Sequence, residues 1–133
     1  MTRYVIDAPT LLHIVSNGVQ INPDHRLVAP NAVRSQALSL LYDQVSRGEL
    51  TNAEALRLHD RMTEVKMRLL GDRSSRHTAW RIAREQKWDS LADAEYLAVT
   101  RLQADALVTI DDALARRADG IVPLAPLEAL TIA

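Results

Sequence analysis

Apolar residues fall along this chain in two rhythms. Short continuous runs appear in "RYVID" at 3–7, "RLVAP" at 26–30 and "DALVTID" at 105–111. They are too short for helices and do not alternate with polar residues, as expected of strands buried on both faces. Between them, apolar positions recur at helical spacing. Leu11, Leu12, Ile14 and Val15 form one such face behind Pro9, whose missing N–H is harmless in a first turn. "SNGVQINPDH" (16–25) is turn-rich and reads as a loop. Asn31 is the expected cap of a helix through Val33, Ala37, Leu40, Leu41 and Tyr42, with Gly48 where a C′ glycine belongs.

"TNAE" (51–54) is a capping box, with Thr51 or Asn52 as the cap. It opens a helix that the pattern carries through Leu56, Met62, Val65, Leu69 and Leu70 to Gly71. Further helices are expected over 74–88 and 90–104, and a short one at about 112–119 before Gly120. "IVPL" (121–124) reads as a last short strand, with Pro123 marking an edge. The predicted order is β-α-β-α-α-α-α-β-α-β. It implies one α/β domain over 1–133: a short parallel sheet of about four strands with helices on both faces.

Composition narrows this picture. Phe is absent, so the core must be built from Leu, Val, Ile and Ala. The absence of Cys removes disulfides, thiolate metal sites and a cysteine nucleophile, and fits a cytoplasmic protein. No apolar run reaches the roughly 18 residues of a membrane span, and no secretory signal pattern opens the chain. The formal net charge of -1 conceals a division. Residues 57–87 hold nine basic and four acidic side chains, and residues 88–133 hold three basic and eight acidic. A basic middle beside an acidic end points to a polyanion near a cation site, or to solvated helix faces.

In parallel sheets, ligands bind beyond the carboxyl ends of the strands. Asp7 and Asp111 fall at that edge, and Asp93 opens the helix leading into the Asp111 strand. Two strand-end carboxylates repel unless a cation joins them, and oxygen-only ligands suit Mg²⁺ or Mn²⁺. Each acid also has a simpler reading: Asp7 and Asp111 as helix caps, Asp93 as a first-turn acid favoured by the helix dipole. His13, His25, His59 and His77 have no ligand spacing, the four glycines form no phosphate loop, and no GxSxG elbow is present. Aspartyl-phosphate chemistry at Asp7 would lack an acid two residues on. Trp80 and Trp88 bracket the end of the basic segment and read as core or dimer contacts, with base stacking as the alternative.

Three stretches carry a family resemblance. "YVIDAPTLL" resembles the opening strand and first Asp of PIN-domain proteins, specifically VapC-type toxins of toxin–antitoxin pairs. "VAPNAVRSQALSLL" is similar to their second strand and helix. "WDSLADAEYLAVTRLQADALVTID" is similar to the Asp-Ala, Tyr-Leu and alanine-rich helix that leads into a Thr-x-Asp strand end. The order of elements also agrees. The resemblance implies a Mg²⁺- or Mn²⁺-dependent endoribonuclease with catalytic positions Asp7, Gln36, Asp93 and Asp111. It implies Asp7, Asp93 and Asp111 as the metal ligands, with Thr109 beside them; Asp112, next to Asp111 in the chain, is a candidate for electrostatic compensation at the same site. Gln36 is the departure, since the family usually has Glu there. A glutamine keeps an oxygen acceptor but drops a charge, so a weakened PIN domain that binds RNA or antitoxin is the alternative. The implied partners are RNA, with Arg73, Arg76, Arg81 and Arg84 as candidate phosphate contacts, a small antitoxin, and a second copy in a homodimer.

Overall fold

The computed structural model describes residues 1–132. Its sheet contains β1 (Arg3–Ile6), β2 (Arg26–Pro30), β3 (Arg68–Leu70) and β4 (Ala106–Val108), in the spatial order β3-β2-β1-β4 and all parallel. The helices are α1 (Ala8–Asn17), α2 (Val33–Ser46), α3 (Asn52–Glu64), α4 (Arg73–Gln86), α5 (Ala92–Gln103) and α6 (Asp112–Ala118), followed by a 3₁₀ turn at Leu127–Leu130. Helices α1, α2 and α3 pack on one another, while α4 packs on α5, and α5 lies against β1, β2 and β4. Consecutive strand residues Val5 and Ile6, and Leu27, Val28 and Ala29, are all buried, so both sheet faces are covered. Tyr96 is the one aromatic residue in an otherwise aliphatic buried core.

Two strand assignments change. The expected helix over 51–71 ends at Glu64, and Val65 is extended at φ -67, ψ 122. Arg68–Leu70 then forms β3, in register with Val28–Pro30. Met62, Val65 and Leu69 continue a helical spacing, and three residues cannot display a period of two. What decides their state is long-range pairing with β2. The expected strand at 121–124 makes only one parallel bridge, Leu107 with Leu124. Pro123 accepts from the Leu107 N–H at 2.9 Å but has none to return.

Side chains cap α1, α3, α4 and α6, but not α2 or α5. Thr51 and Glu54 close the reciprocal capping box, which settles the choice between Thr51 and Asn52. Asn31 does not cap α2; Ala32 occupies that position without a side-chain bond. The Asn31 N–H instead reaches Leu70 O at 2.9 Å. Gly71 follows β3 rather than ending a helix, and a Cβ there would collide with Asn31 Nδ2.

From β1 the chain moves one way, to β2 and β3, and returns to lay β4 on the other side of β1. The carboxyl ends of β1 and β4 therefore flank the point where strand order reverses, the place in open α/β sheets where a crevice forms.

Candidate metal centre

Asp7 ends β1 and caps α1, accepting from the Thr10 N–H at 3.3 Å. It is almost wholly buried, at 3 % exposure, and no cation pairs with it among the described residues. Two hydroxyls hold it. Thr10 Oγ1 donates to Oδ1, and Thr109 Oγ1 donates to Oδ2 at 2.7 Å. Both hydroxyls accept in turn from the segment after β4: Ile110 N–H donates to Thr10 at 3.0 Å, and Asp111 N–H to Thr109 at 3.0 Å. Burial pushes the Asp7 carboxyl above its ordinary 3.8, and the hydrogen bonds from Thr10 and Thr109 only partly oppose that.

Gln36 and Tyr96 complete the wall. Tyr96, on α5, donates its phenol O–H to Gln36 Oε1 on α2. Burial, followed by the neighbouring charge of Asp7, raises the phenol pKa, so it remains a donor. Position 36 thus holds a neutral hydrogen-bonded pair where the resemblance expects a carboxylate.

The remaining acids lean elsewhere. Asp93, in the first turn of α5, forms an ion pair with Arg117 Nη1 of α6 at 3.0 Å. Arg117 also lies over the Trp88 ring, 4.9 Å from its centroid. Asp111 caps α6 through Oδ1, which accepts from the Ala113 N–H at 2.9 Å. Asp112 is exposed in that first turn. The capping readings of Asp7 and Asp111 are therefore correct, and they coexist with a position at the sheet edge. Among the described residues, no three His, Cys, Asp or Glu side chains stand together to hold an ion.

The hydrogen bonds leave donors available. A carboxylate has about four lone-pair sites. Asp7 uses three, and Oδ2 of Asp111 and Oδ1 of Asp93 have no protein partner among the described residues. Mg²⁺ is often bound through one or two carboxylates, with waters and substrate phosphates completing its octahedron. These hard oxygen donors fit that arrangement rather than a cage closed by protein alone. Thr10, Tyr96 and Arg117 escaped the sequence reading. A hydroxyl three residues after Asp7 was visible, but the Tyr96 and Arg117 partners depend on how α5 and α6 dock.

The architecture resembles three solved structures across nearly the whole chain. PAE2754 from Pyrobaculum aerophilum shares 22% identity at a TM-score of 0.74, over 97% of this chain and 92% of that one. VapBC-1 from nontypeable Haemophilus influenzae shares 14% at 0.63, over 94% and 98%. VapBC-5 from Mycobacterium tuberculosis, a member of the VapBC family of toxin–antitoxin systems, shares 17% at 0.59, over 99% and 100%. This chain has a PIN-like fold. No protein-family model and no curated protein matches the sequence. Within this PIN-like fold, Asp7 immediately follows the central strand β1, and the Thr109–Asp111 segment that follows β4 lies beside it.

Proposed function

We propose that this chain is a Mg²⁺- or Mn²⁺-dependent endoribonuclease, the VapC-type toxin of a toxin–antitoxin pair. The observation that carries this reading is Asp7: a buried carboxylate without a cation, at the reversal point of a PIN-like sheet, tied by two threonines to the strand end bearing Asp111. Asp7, Asp111 and Asp93 would hold the ion, and Gln36 would supply a polar wall. When bound, such an ion lowers the pKa of a water for attack on a phosphodiester and offsets charge on the phosphate. Thr10 and Thr109 fix the direction of Asp7, so this part of the site is set before substrate arrives.

RNA would approach along α4, which begins three residues after the end of β3 at the same sheet edge. Arg73, Arg76, Arg81 and Arg84 are all exposed on it, and Trp80 is 60% exposed among them. Guanidiniums interleaved with an aromatic ring suit a single strand, by phosphate contact and base stacking. The fold likeness to VapBC structures supports a small antitoxin as partner, and a homodimer belongs to the same reading. The test is cleavage of structured RNA with Mg²⁺ or Mn²⁺. Wild type should cut and Asp7→Asn should not; equal behaviour sinks the assignment.

A second reading rests on the neutral Gln36–Tyr96 pair and on the Arg117 contact with Asp93. Together they remove negative charge from the site, as in a PIN domain that binds RNA or antitoxin and cuts weakly. Full cleavage activity with Gln36 in place eliminates this reading.

A further inference from the structure

Each of β1, β2 and β3 begins with an arginine. Arg3 and Arg26 are register partners, and Arg68 pairs with Val28, two residues beyond Arg26. Residues in register, or two apart, project from the same sheet face. Three guanidiniums therefore share one face at the amino ends of the strands, opposite the Asp7 edge. Like charges on neighbouring strands repel, and no carboxylate forms an ion pair with any of them among the described residues.

A cavity of about 600 Å³ opens at that place, within the range of small-molecule sites. Arg3, Arg26, Arg68, Lys66 and His25 contribute to its wall, and no Asp or Glu does. Asp105 accepts the Arg3 backbone N–H at 2.8 Å and does not line the cavity. The floor is apolar, with Ile14, Val19, Leu27 and Met67 among its residues. Arg26 is held over the opening by the Pro23 and His25 carbonyls, at 3.1 and 3.2 Å. The Nδ1 of His25 is buried without a partner.

We propose that this cavity is a binding site for a small organic anion: a carboxylate or phosphate head among the arginines, on an apolar body lying against Val19 and Met67. The head would relieve the repulsion between strand-initial arginines, and the body would cover the half-buried side chains of Val19 and Met67. A nucleic-acid strand fits less well, because the wall contains no Trp or Tyr on which bases could stack.

Sodium octanoate, followed by calorimetry and amide NMR at low salt, tests the proposal, with acetate as head alone and 1-octanol as tail alone. Octanoate should bind with a dissociation constant of about 1 mM or tighter, and each half-ligand about tenfold more weakly. Its shifts should center on Val19–Arg26 and Val65–Arg68. Arg68→Glu and, independently, Lys66→Glu should each weaken octanoate about tenfold while thermal unfolding remains cooperative. Lys66 lies in an exposed loop, so its variant serves if Arg68→Glu fails to fold. The proposal is overturned by no octanoate binding, by binding indifferent to the folded variants, or by shifts centered on Asp7 and Tyr96. A single-stranded oligonucleotide that displaces octanoate would also overturn it, in favor of a nucleic-acid site.

Discussion

At the scale of single residues, burial makes the ionised Asp7 carboxyl a cost to stability. Its folded-state pKa is raised above the unfolded 3.8, so the fold takes up a proton more readily than the unfolded chain. The stability penalty is fully present above the folded value and disappears as pH falls toward 3.8. Asp7→Asn should therefore raise the melting temperature by a few degrees near neutral pH while abolishing cleavage. Melting curves from pH 8 to pH 4 should show the gap closing as acid is added; a constant gap would mean that ionisation is not its origin. Gln36→Glu adds a charge next to Tyr96, which itself feels the charge of Asp7, and Mn²⁺ affinity followed by electron paramagnetic resonance should tighten about tenfold. Arg117→Ala should also tighten Mn²⁺ by releasing Asp93. Its effect on stability should stay within about 1 kcal/mol, because a half-exposed ion pair contributes little. Unchanged Mn²⁺ affinity in both variants would show that neither position faces the ion. Asp7 and Asp111 were legible in the sequence because a strand end marks its own residue. Whether Asp93 pairs with a metal or with an arginine was not, because Arg117 is 24 residues away and reaches it only through the packing of α6.

At the scale of elements, local signals served where the chemistry was local. Thr51 with Glu54 fixed the start of α3 because both halves of the box lie within one turn. Thr51→Ala should cost about 1 kcal/mol in urea unfolding, the usual worth of such a cap. A cost near zero would mean that α3 is held by α1 and α2 alone. The end of α3 shows the opposite case. Nothing within Val65–Leu70 opposes a helix, and the pairing that makes Arg68–Leu70 a strand comes from β2, some forty residues earlier. Pro123 carried its own warning, and the 121–124 segment became a bridge, because a residue without an N–H cannot complete a ladder.

At the scale of the whole molecule, the two charged segments of the chain pack together, with α4 from the basic segment lying against α5 from the acidic third. The basic segment supplies α4, and the acidic third supplies the strand end beside Asp7. If α4 carries RNA, binding should weaken with salt. For single strands, each phosphate contact contributes about 0.7 to the slope of log K against log salt. Arg84→Ala should reduce that slope by about this amount across unrelated sequences; an unchanged slope would direct the RNA to another face. The parallel α/β class was legible from rhythm and order alone. The true fourth strand was not, although the count of four was right.

The two threonine bridges also set an order of events during synthesis. Thr10 and Asp7 emerge first, but their partners Thr109, Ile110 and Asp111 come about a hundred residues later. Contacts so distant in the chain close late in folding. A polypeptide broken off before Thr109 lacks the Thr109 hydroxyl and the Ile110 and Asp111 amides, so Asp7 keeps only its local contacts with Thr10.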